Sequence, residues 1–260
     1  MKKEPEKNNV DSKSPFRGLG LEIFCRIWCL WALIVFVPTM FIALPFYLIC
    51  YILKEPTASR WHRRVSRVWM TIFLNLIGCP LKVVNTKYFK PGENYVVACN
   101  HNSLMDIPIT TPFMPQANKT IAKTTFAFIP IFGWIYAAGS ILVNRKSERS
   151  RRDSFKKMRW VLRTGLDMVI YPEGTRNRTN DPLKSFYDGA FKLAVSSGKP
   201  IMPVILFNTR KVLPTGKIFY LEPHKMEMHF LPPVESTNIT AKQLKEKVFR
   251  QMWDYYEANK

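Results

Sequence analysis

Two stretches decide how this chain folds: Tyr95-Val96-Val97-Ala98-Cys99-Asn100-His101-Asn102-Ser103-Leu104-Met105-Asp106 and Met168-Val169-Ile170-Tyr171-Pro172-Glu173-Gly174-Thr175-Arg176. Each starts as a short apolar run suited to a buried strand and breaks abruptly into polar residues. Similar runs at 119–123, 140–143, 201–206 and 226–231 read as further strands, and segments 128–138, 147–163 and 188–196 as helices. Thr240 with Gln243 forms a capping-box pattern, followed at helical spacing by Leu244, Val248, Met252 and Tyr255. Strands alternating with helices predict an α/β domain with a mixed, partly parallel sheet flanked by helices. Ligands of such sheets bind beyond the strand ends, where both polar stretches fall.

The residues at those two ends carry compatible chemistry. Asp106 follows His101 by about one helical turn and can hold one imidazole nitrogen protonated, which leaves the other free to accept a proton. This is the histidine–carboxylate half of a hydrolytic triad, and it needs no serine when the substrate brings its own hydroxyl. Ser103, between them, leaves a covalent acyl-serine route open, and a plain structural hydrogen bond is the bland alternative. In the second stretch Gly174 lets backbone amides approach an anion, Thr175 adds a hydroxyl, and Arg176 offers a planar fork for phosphate. Glu173 is expected to orient that cation or to meet a substrate hydroxyl. Together they suit acyl transfer to a hydroxyl on a phosphorylated acceptor.

Charge and hydropathy point to a membrane. Among 260 residues, 39 Lys and Arg face 19 Asp and Glu, a formal charge of +20 that calls for a polyanionic neighbour. Nucleic acid is not expected, because no nucleic-acid-binding motif is present. Residues 27–53 carry no charge; as one helix they would run roughly 40 Å, against a hydrocarbon core of roughly 30 Å. The run is long enough to span, but Pro38 and Pro45 interrupt it and basic residues flank both sides, so a membrane-embedded helical hairpin that dips in and returns stands beside the span as a reading. It is too long for a signal peptide and lacks a cleavage site. The segment 57–77 mixes Arg60, Arg63, Arg64 and Arg67 with Trp61, Trp69 and Phe73, which suits a helix among headgroups or, alternatively, an ordinary packed amphipathic helix. The helix at 147–163 turns Arg149, Arg151, Arg152, Lys156, Lys157 and Arg159 outward, toward headgroups or an acidic partner. The expected organisation is a disordered polar tail at 1–17, membrane-attachment helices at 18–77 and a catalytic domain at 78–260. Five cysteines in apolar runs read as reduced, and four scattered histidines predict no metal site.

The motif residues resemble the glycerolipid acyltransferases, specifically the bacterial 1-acylglycerol-3-phosphate O-acyltransferase family. Asn100-His101 through Asp106 is similar to its His-x4-Asp block and Tyr171 through Arg176 to its Phe-Pro-Glu-Gly-Thr-Arg block. Ala122-Lys123 with Ile129-Pro130-Ile131-Phe132-Gly133-Trp134, then Gly139 through Arg145, then Ile201 through Ile205, resemble further blocks in the family's order. The resemblance implies that His101 is the general base with Asp106 as its partner, and that Lys123, Arg145 and Arg176 bind the acceptor phosphate. It also implies an N-terminal two-helix membrane element and an acyl thioester donor, acyl-CoA or acyl-ACP, with no bound cofactor. The acceptor would be lysophosphatidate and the product phosphatidic acid. The expected place is the cytoplasmic face of the cytoplasmic membrane, by monotopic or single-hairpin attachment. Two departures change the charge near the headgroup: Asn144 stands where the family usually has Asp, and Tyr187 where a Lys commonly follows Phe186. They keep a lyso-aminolipid acceptor open. The rivals are a catalytically inactive membrane-binding or remodelling protein, and a thioesterase in which the same pair activates water.

Overall fold

The computed structural model describes residues 15–144 and 146–260. Seven strands, β1 (Leu81–Val84), β2 (Val96–Cys99), β3 (Asn118–Lys123), β4 (Ser140–Val143), β5 (Asp167–Ile170), β6 (Ile201–Phe207) and β7 (Met226–Phe230), form one sheet in the order β1-β7-β6-β2-β5-β3-β4. Only the β6–β7 pairing is antiparallel. The α/β expectation with a mixed, largely parallel sheet therefore holds. β2, β5 and β6 are buried along their whole length, because helices cover both faces of the sheet.

Alternate side chains feed two cores, as the period of a strand requires. On one face Val97, Cys99, Val169, Met202 and Val204 pack with α1 (Pro15–Leu48), α2 (Thr57–Leu76), α3 (Asp106–Phe113) and α4 (Phe132–Ala138). On the other, Val96, Ala98, Met168, Ile201 and Ile205 pack with α5 (Glu148–Arg163), α6 (Gly189–Ser197) and α8 (Ala241–Asn259). The short α7 (Thr209–Val212) follows β6. α8 begins at the expected capping box, with Thr240 and Gln243 exchanging hydrogen bonds. The helix expected at 128–138 and broken by Pro130 is indeed interrupted there: a 3-10 turn, Thr124–Phe128, precedes Pro130 and α4 follows it. The edge strand β1 was not anticipated; it pairs in parallel with β7.

The apolar N-terminal run needs correction. It does not fold back at its prolines: Pro38 and Pro45 both lie inside the single helix α1. Around the prolines, Thr39 Oγ1 donates to the carbonyls of Val35 and Phe36 and the Trp61 indole to that of Phe46. One apolar segment, Gly18–Tyr51, is long enough to cross a bilayer among the described residues. The chain reverses after it, and the returning α2 is amphipathic rather than apolar. α2 buries His62, Ser66, Trp69, Phe73 and Leu74 and exposes Val68, Ile72 and Leu76. Of the tail assigned to 1–17, residues 1–14 lie outside the described residues, and Pro15 already begins α1.

α1 lies along the domain. The Leu221 amide donates to the Cys25 carbonyl near one end, the Trp28 and Trp31 indoles donate to carbonyls at the end of α2, and the Tyr51 hydroxyl reaches the Trp134 carbonyl at the far end.

Candidate active site

β2 stops where the Asn100 side chain replaces a backbone rung: its carboxamide exchanges hydrogen bonds with the Leu206 amide and carbonyl of β6, at 2.7 and 3.1 Å. The backbone can then leave the ladder at His101. The second motif takes over both of its peptide groups. The His101 N–H donates to Glu173 Oε1 at 2.7 Å, and its carbonyl accepts the Asn177 N–H at 2.6 Å.

The predicted pair is formed. His101 Nδ1 lies 2.7 Å from Asp106 Oδ2. The same oxygen accepts the Asn102 and Ser103 amides at 2.7 and 2.8 Å, and Asp106 is wholly buried at the start of α3. An acceptor-only carboxylate held this way fixes the proton on Nδ1 and leaves Nε2 for the cleft. The imidazole stacks on the Tyr171 ring, centroids 4.4 Å apart, and the Tyr171 hydroxyl hydrogen-bonds Thr110 at 2.7 Å. Burial, with Cys99 and Asp106 nearby, pushes the Tyr171 phenol well above its ordinary value, so it acts here as a neutral wall. Ser103 Oγ instead donates to the Leu213 carbonyl and accepts the Met105 amide, turned into the fold.

His101 opens onto a cleft of about 540 Å³ at the C-terminal ends of β2, β5 and β3. Lys123, Gly174, Thr175 and Arg176 line it as the sequence suggested. Gly174 has a φ of 69°, a conformation that favours glycine, and the exposed Tyr187 ring lies 2.7 Å from where a Cβ would sit. Arg145 lies outside the described residues.

Glu173 corrects its expected role. It is fully buried, and its oxygens accept the His101 and Lys184 amides rather than facing the cleft. Burial drives its carboxyl up to about 7, against the pull of those two amides. Two further cations on the cleft, Arg178 and Lys184, escaped the sequence reading, because lysines and arginines in a polar loop carry no pattern of their own. No carboxylate lines this cleft among the described residues. No three His, Cys, Asp or Glu side chains among the described residues are grouped to hold a metal.

Beyond Leu104, Ile107, Phe126 and Tyr136 the cleft continues into an apolar cavity of about 300 Å³ beneath α1 and α2.

The histidine–aspartate pair lies beside a cationic turn at the ends of parallel strands, and the acyltransferase family model matches residues 80–206 around it. The fold is shared with the crystal structure of the 1-acyl-sn-glycerophosphate acyltransferase PlsC from Thermotoga maritima, with a TM-score of 0.77 at 21% identity over 91% of this chain and 96% of that one. The 1-acyl-sn-glycerol-3-phosphate acyltransferase of Borreliella burgdorferi is 31% identical over 189 residues, 68% of this chain and 74% of that protein. The chloroplastic 1-acyl-sn-glycerol-3-phosphate acyltransferase of Arabidopsis thaliana is 31% identical over 218 residues, 82% of this chain. The chain spans little more than half, 56%, of that plant protein's length. The chain belongs to the 1-acyl-sn-glycerol-3-phosphate acyltransferase family.

Proposed function

We propose that the protein transfers an acyl group from an acyl thioester, acyl-CoA or acyl-ACP, to the free hydroxyl of 1-acylglycerol 3-phosphate, giving phosphatidic acid. The observation that carries this reading is the buried-aspartate-held His101 opening onto a cleft lined by Lys123, Arg176, Arg178 and Lys184 and by no carboxylate among the described residues. A phosphate monoester suits that lining. The ammonium of a lyso-aminolipid would meet only like charge there, which disfavours the alternative acceptor.

His101 Nε2 takes the acceptor hydroxyl's proton as the oxygen adds to the thioester carbonyl. The tetrahedral adduct collapses with loss of thiolate, which the imidazolium protonates, and Asp106 steadies the transient positive charge. Lys123, Thr175 and Arg176 hold the phosphate, with Gly174 giving the turn its shape. Glu173 holds the His101 backbone. The apolar cavity beneath α1 and α2 suits an acyl chain. The exposed apolar faces of α1 and α2 support monotopic attachment to a bilayer, with the helix pair in the leaflet and the basic surface on the cytoplasmic side. The activity for which the Arabidopsis thaliana and Borreliella burgdorferi relatives are named supports the same acceptor.

The test is thiol release from palmitoyl-CoA and from palmitoyl carrier protein, with lysophosphatidate, a lyso-aminolipid or no acceptor. The expected result is release that depends on lysophosphatidate and disappears in H101A. Release without acceptor would make the protein a thioesterase; silence with both donors and every acceptor would favour the non-catalytic membrane-binding rival.

A further inference from the structure

The acceptor turn lacks the lysine that commonly follows Phe186 in the resembling family, and Tyr187 occupies that place. Tyr187 is exposed, and its ring lies over Gly174, close enough that a Cβ there would stand 2.7 Å from it. An uncharged ring thus covers one side of an anion-binding turn. Lys184 reaches the same turn: its Nζ donates to Thr175 Oγ1 at 2.9 Å, and its side chain lines the His101 cleft alongside Arg176. Its backbone amide is fixed by Glu173 Oε2 at 3.1 Å, so the residue is anchored at both ends. No carboxylate lies within ion-pair distance of the Lys184 ammonium among the described residues.

We infer that Lys184 is a ligand of the acceptor's phosphate and restores, from three residues upstream, the charge that Tyr187 removes. The inference rests on the reading of the cleft as the acceptor site. An ammonium has three N–H groups, and Thr175 takes one, which leaves the others for an anion. By accepting from the ammonium, the Thr175 hydroxyl turns its own hydrogen outward as a further donor. Lys184 and Arg176 then bracket a dianionic phosphate monoester. Glu173, accepting the amides of both Lys184 and His101, ties the phosphate side of the cleft to the base. Lys184 is not a catalytic residue in this scheme. It sets which acceptor is held and where.

The test compares wild-type protein, K184Q, K184R and the double variant K184Q/Y187K in detergent micelles. With lysophosphatidate as acceptor, K184Q is expected to raise the acceptor KM by roughly tenfold or more, the loss of one charge-assisted contact, while kcat and the donor KM stay close to wild type. K184R should recover most of the loss. Y187K, which returns the lysine to the family's position, should recover part of it in the K184Q background. An unchanged acceptor KM in K184Q overturns the inference; so does a fall in kcat and melting temperature together without a KM change, the signature of a merely structural lysine. Titrating lysophosphatidate and monoacylglycerol directly onto wild-type and K184Q protein separates this from the functional reading. If the wild type transfers no acyl group, that reading fails, yet weaker binding of lysophosphatidate alone by K184Q still supports the phosphate contact, and equal binding still overturns it.

Discussion

Asp106 Oδ2 accepts three hydrogen bonds, from His101 Nδ1 and from the Asn102 and Ser103 amides, and this explains why the pair is rigid. The carboxylate is placed by its own loop before any substrate arrives. Asp106→Asn keeps the size, and its carbonyl oxygen can still accept all three hydrogen bonds, but it removes the negative charge that steadies the imidazolium. We expect kcat to fall by roughly 10³- to 10⁴-fold, the scale seen for that change in a serine-protease triad, with little effect on either KM. A D106N protein with near wild-type turnover in the thiol-release assay would remove Asp106 from the mechanism. Ser103→Ala should retain most activity, since the Ser103 hydroxyl is spent on Leu213 and Met105; abolished turnover in a folded S103A protein would reopen the acyl-serine route. Much of this site was legible in the chain because His101, Asp106 and the 173–176 turn sit at strand exits, where local pattern and chemistry coincide. Glu173 was misread for a physical reason: a carboxylate's burial depends on which amides the fold aims at it, and both of its partners are remote in sequence.

At the scale of elements, the strands and helices with clean periodicity, such as β4 and α5, were readable almost to the residue. β1 was not, because a short edge strand next to Pro80 looks like the tail of the preceding helix. α1 runs on through its prolines because the rule that proline breaks helices is local, whereas Ala32, Val35, Met40, Ala43 and Tyr47 pack along the helix against Trp69, Met70, Phe73 and Leu74 of α2. β5 offers a test of element-level energetics. Asp167, at its start, accepts the Tyr95 amide at 2.8 Å, and burial raises its carboxyl to about 7 despite that bond and the nearby Arg63. Between the ordinary carboxylate range and about pH 7 the folded chain holds a proton there that the unfolded chain has lost. This residue's contribution therefore worsens as pH rises through that window. D167N removes the titration, so its melting temperature relative to wild type should climb between pH 4 and 7, by on the order of 5 °C, and then level off. A difference that stays flat with pH would mean that Asp167 is ionised in the fold at every pH tested.

Across the whole molecule, the apolar surface is gathered along α1 and at its two ends. Ile218 is 88% exposed in the loop where Lys217 pairs with Glu22 near the start of α1, and Phe128 is 82% exposed in the segment leading to α4, which touches Tyr51 at the other end. Together with Val68 and Ile72 of α2 these are the exposed apolar groups that the proposed attachment would offer to lipid, with the excess of Lys and Arg supplying attraction to anionic headgroups. The double variant F128E/I218E should weaken binding to vesicles containing anionic lipid by roughly tenfold or more without changing the melting temperature. Raising salt should weaken binding of both proteins, since screening acts on the charge component alone. Equal sedimentation of variant and wild type would place the bilayer contact elsewhere.

The grip of the second motif on the first has a consequence for biosynthesis. Because Glu173 and Asn177 claim the amide and carbonyl of His101, the base emerges from the ribosome long before the residues that seat it. A nascent or prematurely terminated chain ending before residue 177 would carry its histidine and aspartate side by side and yet lack the clasp that aims them. Under the proposed function, competence then waits until residue 177 is in place, and chains cut short before it would lack the transfer activity.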